Sequence, residues 1–291
     1  MRKGLFIAFL IAAALPLAAQ MTPATPAAAP APPQVRYPSV SQAASITQTG
    51  GLTDITITYH RPGVKGRQIW GALVPYGQPW RTGANEATTI SFSDDVQING
   101  QNLPKGTYAF FATPTQTDWT LIFNTVAKQW GAFSYDASKD ALKVTTTPVK
   151  APFAEWLTYE FPNVTTDTAT VQLRWADLAI PFTVNTNTTA KVLANARDAV
   201  AKAGSGDWQT ANRAANFAFN AGRKDEAAKW VDASVKAKAT PSNLYLKARI
   251  QAQAGDKAGA IQSAQQALKL TTDKDKELAG EINASITEWA K

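Results

Sequence analysis

The chain has 291 residues, no cysteine, a single histidine and a formal net charge of +7. The absence of cysteine excludes disulfides and thiol catalysis, and one histidine excludes a zinc site built from several histidines. The charge surplus is unevenly placed, because residues 20–187 carry 11 basic and 11 acidic side chains whereas residues 188–291 carry 16 and 11. Basic side chains scattered along helices are typical of a solvated face, so the net charge does not predict nucleic-acid binding.

Residues 1–19 have the layout of a secretory signal peptide. Arg2 and Lys3 precede an apolar stretch, and small residues follow it at Ala18 and Ala19. The stretch is too short to span a bilayer as a mature helix, and no later segment is apolar over the necessary length. We therefore expect export to the periplasm or out of the cell, with no transmembrane segment after cleavage.

Residues 20–35 consist largely of proline, alanine and threonine. Such a composition cannot bury a core and favours extended polyproline II, so we interpret the segment as a linker. A proline-rich recognition peptide is the alternative interpretation.

Residues 36–187 contain short segments in which apolar and polar side chains alternate. The segments are 53–60, 88–92, 95–98, 107–112, 118–124, 141–147, 155–161, 169–175 and 178–184. Short alternating strands at regular spacing predict an antiparallel β-sandwich or a flattened barrel.

Turn residues predict how some of these strands connect. Asn99-Gly100 predicts a hairpin whose return strand is 107–112. Ala176-Asp177 predicts a second, tight hairpin, and Pro181 predicts an edge position for the last strand.

Residues 61–87 break the alternation with five glycines, three prolines, three arginines and two tryptophans. A loop of this length inside a compact domain is often functional. Arg81, Asn85 and Glu86 form its polar centre, which predicts a ligand pocket with Trp70 and Trp80 as its floor. Alternatively, Arg81 and Glu86 pair to hold the loop while the tryptophans fill the end of the sandwich.

Two further groups of side chains are candidates for ligand binding. Arg61, Lys65 and Arg67 form a basic cluster suited to a carboxylate, a phosphate or an acidic sugar, or else a solvated loop. Trp130 and Tyr135 are candidate stacking platforms for sugar rings, although aromatic residues at strand spacing commonly belong to a core.

The run HRPGVKGRQIWGALVPYGQPWRTGANEATTISFSDDVQINGQNLPKGTYAFF, followed by DWTLIFN and QWGAFSYDASKDALKV, resembles a bacterial family of exported proteins, the domain of unknown function DUF2911. WRTGANEAT is the most specific part, and the resemblance covers roughly residues 38–185. It implies an exported all-β domain, often with tetratricopeptide-like helices behind it, but no activity, substrate or catalytic residue. His60 departs from the family pattern, which usually has a small polar residue before Arg-Pro.

Residues 188–291 contain an internal repeat, because 217–236 aligns with 250–269 at an offset of 33. Gly222 then matches Gly255, and the period is near that of tetratricopeptide repeats. We predict a short helical solenoid that binds a protein partner, or one that only packs on the sandwich or dimerises.

The leading hypothesis is a non-catalytic module that holds a small polar or glycan-like ligand near the 61–86 loop, without a cofactor or metal. One alternative is a saccharide-acting hydrolase or lyase with Glu86 as acid/base and Arg81 as electrostatic stabiliser. A purely structural envelope scaffold is the other. The sequence does not decide whether the protein is an enzyme.

Overall fold

A computed structural model describes residues 37–291, so the predicted signal peptide and linker lie outside the described residues. The strands are β1 Gln42–Gly50, β2 Thr53–Arg61, β3 Thr89–Phe92, β4 Val96–Ile98, β5 Gln101–Leu103, β6 Gly106–Pro114, β7 Trp119–Asn124, β8 Asp140–Thr146, β9 Val149–Val164 and β10 Thr168–Asn185. They form two antiparallel sheets, in the orders β1-β2-β3-β6-β7-β8 and β5-β4-β10-β9. The sheets do not close into a barrel, so the predicted sandwich is confirmed and the flattened barrel is wrong.

The main core lies between the two sheets. Strand β2 shows how the sequence builds it, because Ile55, Ile57 and Tyr59 are buried while Thr56 and Thr58 point to the other face. Successive side chains of a strand face opposite sides, so alternation places one apolar row in the core. Strand β1 shows this alternation weakly and was not predicted.

A second, smaller core lies on the outer face of the larger sheet. Phe110 belongs to the main core, whereas its neighbour Phe111 belongs to an outer cluster on the opposite face. The outer cluster consists of Ala87, Ala109, Phe111 and Ile122, with Ala132 and Tyr135 packed against it. Segment 125–136 therefore covers this face of strands β6 and β7.

The hairpin at Asn99-Gly100 is present, but its predicted return strand was wrong. Asn99 and Gly100 have φ angles of 47° and 84°, as a tight hairpin turn requires. The return strand is the short β5, whereas 107–112 lies in β6, between β3 and β7 of the other sheet. Pro104 follows β5 and cannot donate to a ladder, which helps to end the hairpin there.

The hairpin predicted at Ala176-Asp177 was also wrong, because β10 runs through it as one strand. Its register against β9 shifts around Ala176, which has a φ of 50°, so the irregularity is a bulge. The edge position predicted from Pro181 was wrong as well, since β10 lies between β4 and β9. Pairing with β9 ends at Ala179 and pairing with β4 begins at Val184, so Pro181 interrupts no ladder bond.

Six α-helices follow the sandwich. They are α1 Thr188–Lys202, α2 Trp208–Asn220, α3 Lys224–Ala237, α4 Pro241–Gln253, α5 Lys257–Lys269 and α6 Lys276–Trp289. The two matched glycines, Gly222 and Gly255, have φ angles of 70° and 88° in the turns after α2 and α4. The repeat thus corresponds to two helical hairpins, while their tetratricopeptide type stays a prediction. No helix among the described residues is long and apolar enough to cross a membrane.

Asp167, in the turn between β9 and β10, joins the sandwich to the first helix. Its carboxylate accepts hydrogen bonds from the backbone N–H and the hydroxyl of Thr189, both at 2.6 Å. The N-cap residue Asn187 makes no side-chain cap bond, so Asp167 satisfies a helix N-terminus from outside the helix.

We expect Asp167→Ala to lower the free energy of unfolding by about 1–2 kcal/mol, since it leaves first-turn donors of α1 unsatisfied. Urea denaturation followed by far-UV circular dichroism measures this loss. Asp177→Ala, at an exposed carboxylate in β10, is the matched control and should change stability by less than about 0.5 kcal/mol. Equal effects of the two substitutions would contradict the capping role of Asp167.

Candidate functional site

The main feature of the site's backbone is an excursion between two segments that pair with the same strand. Trp80 exchanges backbone hydrogen bonds with Ala112 of β6, at 2.8 and 2.9 Å. Further along, the carbonyl of Thr88 accepts from Phe110 N at 2.7 Å. Between these anchors residues 81–88 leave the sheet, and Thr88 N donates to the carbonyl of Arg81 at 3.3 Å to close the excursion.

The excursion holds strained backbone. Thr82 is buried and has a φ of 51°, a left-handed conformation that β-branched residues rarely adopt. Its hydroxyl donates to Phe110 O at 2.8 Å, and its carbonyl accepts from Tyr159 Oη at 3.0 Å. Gly83 is required sterically, because an added Cβ would lie 2.8 Å from Thr88 Oγ1. Strain fixed by its surroundings in this way is a feature of functional loops.

A cavity of about 330 Å³, which we call the basic pocket, lies beside the excursion. Its lining includes Lys65, Arg67, Arg81, Asn85, Trp80 and Trp175. None of the described residues that line it is acidic or a histidine. Three cationic side chains with no carboxylate among them make a site of positive potential.

Arg81 is the unsatisfied group of this pocket. Its Nε is buried without a hydrogen-bond partner, and within residues 37–291 its side chain forms no hydrogen bond or ion pair. Burial lowers the pKa of the guanidinium below its ordinary value. Arg174 has a similarly buried Nε, but its other nitrogens contact Glu160 at 3.6 Å and the carbonyl of Pro152 at 2.8 Å. Arg81 has no such compensation.

Of the other two cations, Arg67 is held by backbone carbonyls, whereas the ammonium of Lys65 lies 6.0 Å from the centroid of the Trp156 ring. Arg67 donates to the carbonyls of Gly63 and Val64 at 2.6 and 3.0 Å, which fixes its guanidinium in place. The backbone N–H of Lys65 donates to Glu155 Oε1 at 2.9 Å. Glu155 is thus a nearby carboxylate, but it binds the backbone and does not line the pocket.

Four tryptophans pack together behind the pocket. Trp80 and Trp175 stack with ring centroids 5.9 Å apart and an interplanar angle of 15°. Trp70 and Trp119 pack edge-on against them. Trp80 and Trp175 line the pocket, whereas Trp70 does not. Part of the alternative interpretation therefore fits the structure, because the tryptophans do fill this end of the core.

Glu86 lies in a second cavity of about 490 Å³, which we call the outer groove. Its side chain is exposed, and its Oε2 lies 3.4 Å from His60 Nδ1. Trp130, which is 59% exposed, lines the same groove. The expected pair between Arg81 and Glu86 is not formed, and the two side chains line different cavities. The structure thus does not bring together the acid/base and the stabiliser of the hydrolase or lyase hypothesis.

The remaining predicted residues lie elsewhere. Arg61 donates from Nε to the carbonyl of Leu157 at 3.0 Å and lines a separate cavity with Trp156. Tyr135 packs on the outer cluster and donates to Asp140 Oδ2 at 2.6 Å. Burial, and after it this hydrogen bond, raise the pKa of Tyr135 well above its ordinary value.

Sequence reasoning missed Trp175 as a pocket residue. It ends the apolar–polar alternation of 169–175, a pattern that indicates core, and nothing local marks its contact with a loop some ninety residues earlier in the chain. Among the described residues, no group of three or more histidine, aspartate or glutamate side chains is placed to hold a metal ion.

Comparison with known proteins gives one match. The sequence model of a family described as "Protein of unknown function (DUF2911)" matches residues 41–184, which include every residue that lines the basic pocket except Val40. No curated protein and no solved structure matches the chain.

Proposed function

Residues 41–184 belong to the DUF2911 family, whose function is unknown, and we propose that they form a non-catalytic binding domain. The basic pocket receives the anionic group of a small polar ligand. The observation that carries this proposal is Arg81, a partly buried guanidinium that has no partner among the described residues, in a cavity lined by two further cations.

The chemistry of the lining defines the ligand class. A guanidinium binds carboxylate and phosphate through paired N–H donors, and a lysine adds a point charge. Asn85 offers further polar atoms, and the edges of Trp80 and Trp175 provide apolar surface. A cavity of about 330 Å³ lies at the lower end of the range for small-molecule sites, which suits an acidic monosaccharide or a sugar phosphate.

Binding rather than catalysis is favoured by what lines the pocket. General acid–base chemistry needs a titratable group that exchanges protons near neutral pH, usually histidine or a carboxylate. The described lining residues include neither. A cationic pocket of this kind can hold an anion but has no evident base.

The proposal extends to location and partners. The predicted signal peptide supports a location outside the cytoplasm, and the helical hairpins of residues 188–291 are the part proposed to contact a protein. Cross-linking of the full mature chain in an envelope fraction tests this contact. We expect cross-linked peptides to map to 188–291, and cross-links confined to the sandwich would rule out the helices as the partner surface.

We expect acidic ligands to bind and neutral ones of the same size not to bind in the basic pocket. Calorimetric titration with inorganic phosphate and glycerate, against glycerol as the neutral reference, measures this without a pyranose ring. Binding of phosphate but not of the carboxylate, or the reverse, identifies the anionic group that the pocket prefers. Because the attraction is ionic, affinity should fall as salt increases.

Lys65→Gln should weaken binding of the acidic ligands about tenfold, the effect of one lost charge-assisted contact. Lys105→Gln removes the same charge from an exposed lysine outside the pocket, so it is the matched control. The proposal fails if no acidic ligand binds, or if both substitutions weaken binding equally.

A further inference from the structure

The outer groove is separate from the basic pocket and combines an exposed aromatic ring with polar groups. Trp130 contributes the ring, and His60, Glu86, Lys128 and Gln129 contribute the polar atoms. The groove lies on the outer face of the larger sheet, because His60 follows the outward row of β2 that contains Thr56 and Thr58.

The groove is built from two loops that are joined through their backbones. Ala87 N donates to the carbonyl of Gln129 at 2.9 Å, and Gly131 N donates to the carbonyl of Asn85 at 3.0 Å. Glu86 and Trp130 face each other across this bridge. The segment that carries Trp130 is anchored further by Tyr135 in the outer cluster. The Trp130 backbone is therefore fixed, although its indole is largely exposed.

The polar groups are also held in position. The contact of 3.4 Å between His60 Nδ1 and Glu86 Oε2 orients the carboxylate beside the indole. Gln129 Nε2 donates to the carbonyl of Val126 at 2.8 Å, which fixes that amide, and its Oε1 is buried without a partner among the described residues. Most of these groups are acceptors or can accept, apart from the ammonium of Lys128.

We propose that the outer groove binds a pyranose ring. A pyranose with equatorial hydroxyls has an apolar C–H face, which suits the flat exposed indole, and a rim of hydroxyls. Those hydroxyls can donate to the Glu86 carboxylate and accept from Lys128 Nζ. The accessible surface of the groove is mostly apolar, which suits the C–H face of the ring, while Glu86 and Lys128 supply polar groups for its hydroxyls.

This inference does not rest on the anion pocket, since no residue lines both cavities. The phosphate titration described above tests the basic pocket separately. A sugar ring can therefore fail to bind while phosphate binds, and the reverse outcome is equally distinguishable.

The test is titration of the full mature chain with methyl β-D-glucopyranoside, a neutral pyranose whose ring substituents are all equatorial. Binding is followed by the indole N–H resonance of Trp130 in isotope-labelled protein, assigned by its loss in Trp130→Ala. We expect a saturable shift of this resonance, with a Kd in the range of about 1 mM that single neutral sugars reach.

Trp130→Ala should weaken glycoside binding about tenfold or more, as measured by calorimetry, and Glu86→Gln should weaken it by a smaller factor. Phe133→Ala is the matched control, because Phe133 is an exposed aromatic residue, at 85%, on the same loop but outside the groove. Absence of glycoside binding, or equal losses in Trp130→Ala and Phe133→Ala, would overturn the inference. Binding of an apolar peptide instead of the glycoside would overturn it as well.

Discussion

Arg81→Met should raise the free energy of unfolding by about 1 kcal/mol and at the same time abolish anion binding. The guanidinium is partly buried and has no compensating acceptor among the described residues, so its desolvation opposes folding. Methionine keeps the length and apolar surface of the side chain without the charge. A gain in stability that accompanies a loss of binding is the signature of a residue retained for its ligand.

The ligand should reverse this order of stability. At about 100 times its Kd an anion stabilises the wild-type protein by about 2.7 kcal/mol, whereas Arg81→Met should gain nothing. Urea denaturation with and without phosphate or glycerate, whichever binds in calorimetry, measures both effects. Arg81→Lys keeps the charge but loses the paired donors, so it should bind with intermediate affinity. A fall in the stability of Arg81→Met by more than about 1 kcal/mol would show that Arg81 serves the fold instead.

Trp175→Ala should lower the free energy of unfolding by about 3–5 kcal/mol. Trp175 is 1% exposed and packs against both Trp70 and Trp80, so its removal leaves a large cavity at the end of the core. A loss of this size is a substantial share of the stability of an ordinary domain. The change should also weaken anion binding, because Trp175 lines the basic pocket.

Denaturation followed by near-UV circular dichroism reports on the tryptophan cluster and measures this effect. Trp156→Ala is the comparison, since Trp156 lies on the neighbouring strand β9 but is exposed, and it should cost no more than about 1 kcal/mol. If the two substitutions had similar costs, the tryptophan cluster would not be a central part of the core.

Much of the sandwich could be predicted because its strands alternate clearly. Residues 53–60 carry the period-two pattern that places one face in the core, and in 118–124 every second residue from Trp119 to Phe123 faces the main core while Ile122 is buried on the other face. The family resemblance over the sandwich is confirmed. The connections were predicted less well. Ala176-Asp177 has the composition of a turn, but pairing with β9 on both sides of it keeps β10 continuous. Sequence cannot distinguish a bulge from a turn when the deciding contacts come from another strand.

The candidate site was predicted in outline only. The composition of 61–87 drew attention to the loop that carries Lys65, Arg67 and Arg81, and these three residues line one cavity. The alternative interpretation, a pair between Arg81 and Glu86, was wrong, because the excursion has left-handed residues at Thr82 and Asn85 and carries Glu86 to the other cavity. Arg81 and Glu86 are close in the sequence but not in the folded protein. The position of Glu86 depends on backbone strain and on contacts with distant strands, and neither leaves a local pattern in the sequence.

The central claim is that Arg81 binds an anion in the basic pocket. Its most direct test is the Nε–H resonance of Arg81 in isotope-labelled protein, assigned by its loss in Arg81→Met, during titration with phosphate or glycerate. We predict a saturable shift of this resonance with the Kd found by calorimetry, while the Nε–H of Arg174 does not move, because Arg174 contacts Glu160 through Nη1 and does not line the basic pocket. An Arg81 resonance that stays unchanged up to saturating anion, or one that shifts no more than that of Arg174, would contradict the account.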